Sequence, residues 1–196
     1  MPRRPCGLLL TGGASRRMGT DKALLSIGSE HHTLAERTGE LLSAAVAPFP
    51  ALEVGPGRSH LGVVEEAQPG GGPLVAVLAG RRALESFGHA GSVLVLATDL
   101  PLLTAELLEW LTSRPGTASV VPVVGGYEQP LCARWSPAAF ERAAGLAAAG
   151  ERSLRLVFEP GAWRAGPADW EAVASESTFV DADRPEDLDA LRAQSP

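Results

Sequence analysis

Short apolar runs alternate along this chain with longer segments in which apolar residues recur at helical spacing. Gly7 to Leu10, Ala51 to Val54, Val93 to Ala97 and Ser119 to Val123 are brief and bounded by turn residues, which predicts buried strands. After Thr33 the period changes. Leu34, Leu41, Leu42, Ala45 and Val46 fall on one helical stripe, and Thr33 and Glu36 have capping-box spacing. Thr104 stands where it caps a helix carrying Leu107, Leu108 and Leu111. Ser136 followed by Pro137 opens another helix, which Gly150 closes. A last helix is expected from near Pro185, with Leu188 and Leu191 on its apolar side. The Gly/Pro-rich stretches "GPGRSH" (55–60), "QPGGGP" (68–73) and "EPGAWRAGP" (159–167) are short enough to be loops rather than domain linkers.

Alternation of this kind predicts an α/β layer fold with a mostly parallel central sheet. A length of 196 residues suits one domain, 1–196, with a sizeable core. Hydrophobic residues at 45% and charged residues at 20% mark a globular chain rather than a disordered one. The net charge of −6 argues against nonspecific nucleic-acid binding and against attraction to an anionic membrane. No apolar run approaches the roughly 20 residues that span a bilayer. The apolar stretch after Arg3 and Arg4 is too short for a signal peptide, so a cytoplasmic protein is expected. Cys6 and Cys132 lie far apart without a CxxC pair, which predicts buried, reduced thiols.

In α/β sheets ligands bind beyond the carboxyl ends of the strands. The residues that follow each apolar run therefore matter most. After the first run comes "LLLTGGASRRMGTDKALL" (8–25). Its glycines let backbone N–H groups face one concavity, and Arg16, Arg17 and Lys22 supply charge for phosphates. Lys22 lies three past Gly19 and precedes Ala23, so the P-loop spacing fails, as does GxGxxG. A surface turn with solvated charges is the competing reading; the strand before and the lysine after favour an anion site. "VLVLATDLPLL" ends an apolar run on Asp99, an oxygen ligand suited to Mg²⁺, although a capping or turn aspartate reads the same way. "VVEEAQPGGGPL" sets Glu65 and Glu66 before a glycine loop, which alone reads best as a solvated turn. "FVDADRPEDL" holds Asp181 and Asp183 two apart, on one side if extended, with helix capping by Asp183 an equal alternative. His31, His32, His60 and His89 show no metal spacing, and no GxSxG elbow occurs.

Taken in order, these stretches resemble the molybdenum cofactor guanylyltransferases (MobA-type) of the nucleotidyltransferase superfamily. The resemblance covers most of the chain. Its specific part is "LLLTGGASRRMGTDKALL", close to the family's L-A-G-G-x-x-R-R-M-G-x-D-K; "PGGGPLVAVLAG", "VLATDLPLLT", "EQPLCARW" and "FVDADRPEDL" are modest alone. It implies a Rossmann-like three-layer sandwich and Mg²⁺-dependent transfer of GMP from GTP to the terminal phosphate of molybdopterin-bound molybdenum cofactor, with release of pyrophosphate. It also implies GTP and molybdopterin as partners, with molybdoenzymes or cofactor-pathway proteins as candidate protein partners. By motif, Leu10, Thr11, Gly12 and Gly13 lie along the nucleotide, Lys22 contacts the phosphates with Arg17 beside it, and Asp99 binds Mg²⁺. Glu66 stands where the family usually has an aspartate near the nucleotide. Asp181 and Asp183 stand where it often has asparagines near the molybdopterin, and Asp183 is a second candidate metal ligand.

Three departures bear on substrate. Thr11 replaces a small alanine. Gly55 and Gly57 stand where an asparagine often approaches the nucleotide. Asp181 and Asp183 make the acceptor side more anionic. Gly12-Gly13, where cytidylyl relatives usually show alanine-glycine, favours GTP over CTP. A cytidylyl or sugar-phosphate nucleotidyltransferase remains the alternative enzyme. A non-catalytic nucleotide-binding module is the alternative from another class, and Lys22 with Asp99 argues against it. Trp163 and Trp170 suit stacking on a pterin, but packing is the better reading.

Overall fold

The computed structural model describes residues 4–12, 22–25, 32–65 and 70–181. The expected strands form as β1 (Cys6–Leu10), β2 (Ala51–Val54), β4 (Val93–Ala97) and β5 (Val120–Val124). Four further strands join them: β3 (Gly62–Val64), β6 (Tyr127–Glu128), β7 (Cys132–Trp135) and β8 (Trp163–Ala165). The sheet order is β3-β2-β1-β4-β7-β5-β6, with β8 paired to β5. β3, β2, β1 and β4 are mutually parallel, whereas β7 runs antiparallel between β4 and β5. The result is an α/β sheet that is mixed overall and parallel where the chain enters it.

Period-2 alternation sends successive residues of the central strands to opposite faces. Leu8, Leu10, Val93 and Val95 enter one core with Leu74 and Val77 of α2 (Pro73–Ser86) and Phe140 of α4 (Pro137–Ala148). Leu9, Leu94 and Leu96 enter the other with Leu42 of α1 (Leu34–Val46) and Leu107 and Leu111 of α3 (Ala105–Ser113). Burial on both faces explains why these strands read as continuous apolar runs.

The helix starts follow the local chemistry. Thr33 Oγ1 accepts from the Glu36 amide at 3.2 Å while Glu36 Oε2 accepts from the Thr33 amide at 2.8 Å, closing the capping box of α1. Ser136 Oγ accepts from the Ala139 amide at 3.0 Å, with Pro137 in the first turn of α4. Gly150 adopts φ +84°, as expected of the residue that ends that helix. The helix expected from near Pro185 lies outside the described residues.

One topological fact positions the site. From β1 the chain crosses by α1 to β2 and then β3 on one side, and α2 returns it to β4 on the other side of β1. The strand order reverses between β1 and β4, the switch point at which open α/β sheets bind ligands. Among the described residues no helix is long and apolar enough to cross a membrane.

Candidate nucleotide site

β1 and β4 pair in parallel with Leu10 opposite Ala97. Thr11–Gly12 and Thr98–Asp99 therefore leave the sheet at adjoining points on its carboxyl edge. Thr11 and Thr98 are buried, Asp99 is half-buried and Gly12 is exposed. A carboxylate and a glycine-bearing backbone thus emerge side by side there. Of the expected nucleotide residues, Leu10, Thr11, Gly12 and Asp99 come together here.

The turn after Asp99 is held from α1. The Arg37 guanidinium donates to the Pro101 carbonyl at 3.1 Å and to the Leu103 carbonyl at 2.9 Å. On the far side of β4, the Ala97 amide donates to the Leu131 carbonyl at 2.9 Å, bringing the start of β7 beside Asp99. Cys132 is there, fully buried. Burial first, and the Asp99 charge second, push its thiol up to about 12. That thiol is neutral and no nucleophile. Cys6 is also free and buried.

On the other side of β1 this edge is bounded by the loop that follows β2. Glu53, fully buried within β2, is its anchor. Its carboxylate accepts from the amides of Gly57 (2.9 Å), Arg58 (2.7 Å) and Ser59 (2.7 Å), from Ser59 Oγ (2.6 Å), and from Thr11 Oγ1. Burial alone would raise its pKa, but hydrogen bonds from Ser59, Thr11 and Arg58 outweigh it and hold the carboxyl below its ordinary range. Gly55 closes the loop against β1. A Cβ there would meet Thr11 Oγ1 at 2.2 Å and the Gly12 nitrogen at 2.8 Å. Sequence reasoning did not single out Glu53 or Arg37. The available signal for Glu53 was a carboxylate inside an apolar strand, followed by a glycine-rich loop able to supply amide donors.

The other expected residues are placed less fully. Lys22 opens a 3-10 turn, Lys22–Leu24, which meets the start of α1 through the Leu34 amide and the Leu25 carbonyl at 2.8 Å. The Lys22 side chain, Gly13, Arg16, Arg17, Glu66 and Asp183 lie outside the described residues. Glu65 is exposed after β3. Asp181 is exposed and follows the 3-10 turn Glu176–Phe179. Trp170 is buried against Phe179, centroids 5.1 Å apart, and donates to the Ala165 carbonyl at 3.2 Å. Trp163 packs on Trp110 at 5.6 Å, with the Arg114 guanidinium over both rings. Both tryptophans are thus engaged in packing.

Mg²⁺ is usually held by one or two carboxylates together with substrate phosphates and water. Asp99 fits that donor set: a hard oxygen ligand, half-buried, at the switch point. Among the described residues no cluster of three or more His, Cys, Asp or Glu forms an all-protein cage.

Residues 7–165 match the family model described as the MobA-like NTP transferase domain. A molybdenum cofactor guanylyltransferase of Cereibacter sphaeroides is 37% identical over 196 residues, covering 96% of this chain and 95% of that protein. Among solved structures, molybdopterin-guanine dinucleotide biosynthesis protein A from Archaeoglobus fulgidus superposes with a TM-score of 0.72 at 21% identity, covering 95% of this chain and 96% of that one. A 2-C-methyl-D-erythritol 4-phosphate cytidylyltransferase from Thermus thermophilus superposes with a TM-score of 0.61 at 20% identity, over 95% and 96%. At those identities the two structures speak for the fold alone.

Proposed function

The chain belongs to the MobA-like NTP transferase family and is a nucleotidyltransferase, and from that premise we propose that it transfers GMP from GTP to the terminal phosphate of the molybdopterin that carries molybdenum. The observation that carries the reading is the emergence of Thr11–Gly12 and Asp99 side by side at the switch point. It is supported by the 37% identity to a molybdenum cofactor guanylyltransferase over nearly the whole chain.

In this reaction a terminal phosphate oxygen of the acceptor attacks the α-phosphorus of GTP. The bond from that phosphorus to the bridging oxygen breaks, and pyrophosphate leaves with the electron pair. No protein nucleophile is needed, so the chain contributes position and charge. Leu10, Thr11, Gly12 and Gly13 would line the nucleotide, with Glu66 a further contact. Lys22, Arg16 and Arg17 offset phosphate charge. Asp181 and Asp183 would serve the acceptor, and Asp99, with Asp183, would hold Mg²⁺. When bound, that ion supplies charge neutralisation between carboxylate and phosphates.

The test is titration with GTP, CTP and ATP in the presence of Mg²⁺, followed by pyrophosphate release with molybdopterin as acceptor. GTP binding and acceptor-dependent release are expected. Binding of CTP but not GTP would sink the guanine assignment. Release with a sugar 1-phosphate and none with molybdopterin would move the enzyme to the sugar-phosphate class. Asp99→Ala is expected to lower turnover by about a hundredfold or more while circular dichroism stays unchanged; full turnover would remove the metal role.

A further inference from the structure

The loop after β2 carries no polar side chain at Gly55, Pro56 or Gly57, yet it packs against Thr11 and Gly12 at the end of β1. What it offers a ligand there is main chain. Glu53 determines which main-chain groups face outward. It draws the amides of Gly57, Arg58 and Ser59 onto one buried carboxylate. In a planar trans peptide the carbonyl points opposite the N–H of the next residue. The carbonyl oxygens of Pro56, Gly57 and Arg58 therefore point away from the carboxylate. The same carboxylate accepts from Thr11 Oγ1, which fixes the loop to the end of β1. Ser59 adds its hydroxyl to the same carboxylate at 2.6 Å.

We propose that Glu53 is a positioning residue for base selection: the Thr11–Glu53–Ser59 staple turns the loop's carbonyls into an acceptor rim that reads the donor edge of guanine. This rests on the nucleotide reading above. Guanine presents two adjacent donors, its N1–H and its exocyclic N2 amine. Adenine and cytosine each present one exocyclic amine flanked by an acceptor nitrogen. A rim made of acceptors favours the first pattern and leaves unpaired acceptors against the others. Residues 55–57 need no amide side chain for this, only a rigid backbone. A carboxylate is the side chain suited to the task, because its two oxygens accept from several donors at once. Glutamine at 53 would replace one acceptor oxygen by an NH₂ group facing amide donors, so the loop cannot keep its form.

The experiment compares GTP, ITP and CTP with wild-type protein and Glu53→Gln, by Mg²⁺-dependent binding and by KM and kcat. ITP lacks the N2 amine and reports on one donor alone. Wild type is expected to prefer GTP to ITP and ITP to CTP. Glu53→Gln is expected to raise the GTP Kd and KM about tenfold. It should also bring the GTP/ITP ratio toward one and change kcat much less. Because Glu53 is buried, Ser59→Ala and Thr11→Val serve as milder cuts at either end of the staple that do not depend on Glu53→Gln folding. Each should shift the GTP/ITP ratio the same way by a smaller factor. Hydrogen exchange without nucleotide gives an independent readout: the Gly57, Arg58 and Ser59 amides should be protected in wild type and lose protection in Ser59→Ala. Folded variants with unchanged base ratios would overturn this inference alone, since wild type would still bind GTP. Wild type that binds none of the three nucleotides would overturn the nucleotide reading and this inference with it.

Discussion

Two carboxylates and one thiol at the carboxyl edge show how position sets chemistry residue by residue. Asp99 is half-buried with a hard-ligand role open to it, whereas Glu53 is fully buried and engaged with several donors. Cys132 sits against the same edge and is silenced by burial and by the Asp99 charge. Native protein at pH 8 should therefore show almost no reaction with a thiol reagent, and both cysteines should titrate after denaturation, since Cys6 and Cys132 are each buried and free. Rapid labelling of Cys132 in the native state would contradict the packing around Asp99. Asp99 was legible in the sequence because it ends an apolar run, and strand ends are where such sheets bind ligands. Glu53 and Arg37 were not, and the reason is specific. Their partners are largely main-chain groups: amides at 57, 58 and 59 for Glu53, carbonyls at 101 and 103 for Arg37. A motif built from side chains does not register such contacts.

Elements divide by how local their causes are. α1, α3 and α4 begin at Thr33, Thr104 and Ser136, whose side chains cap the first turn, so their starts are written in adjacent residues. β3, β6 and β8 have three, two and three residues and owe their strand state to their neighbours. β7 is masked by Arg134, a charge in a buried strand. Its guanidinium donates to the Arg114 carbonyl at 2.5 Å and the Ala118 carbonyl at 3.2 Å, and burial lowers its pKa. α2 is obscured by Gly80 and by the Arg81-Arg82 pair, which interrupt its apolar stripe. Gly80 has a packing reason. A Cβ there would stand 2.7 Å from Leu8 Cδ2 and 2.7 Å from Val54 Cγ2, both fully buried. Gly80→Ala gains about 1 kcal/mol in helix propensity, but pushing α2 off β1 and β2 costs roughly 1–3 kcal/mol or more. The urea midpoint should fall with an unchanged slope. A higher midpoint would mean that α2 has slack against the sheet.

At the scale of the whole molecule, three carboxylates with lowered pKa values tie distant parts of the chain to pH. Glu36 is lowered by its bonds with Thr33 at the start of α1. Glu53 is lowered at the carboxyl edge of β1 and β2, where its hydrogen bonds overcome burial. Glu159 links the Ser119 amide (2.8 Å), Ser119 Oγ (3.0 Å) and Ser136 Oγ (3.0 Å), joining the start of β5 to the cap of α4; those bonds likewise overcome burial. In each case the unfolded chain holds its proton to higher pH than the folded one. Stability from these groups is complete above the ordinary carboxylate range and is lost as pH falls through the lower folded values, because there the unfolded state binds more protons. Cys132 acts at the opposite end. Its folded pKa of about 12 lies above the ordinary thiol value of 9.0, so stability declines as pH rises from about 9 toward 12. The urea midpoint should therefore be flat from about pH 5 to 8 and fall on both sides. Glu159→Gln should lower the plateau and shallow the acid arm, because it removes both the bonds and the proton linkage. Cys132→Ala should shallow only the alkaline arm. A midpoint that rose on acidification would contradict the direction assigned to all three carboxylates, and an acid arm unchanged in Glu159→Gln would place the linkage outside the β5–α4 junction.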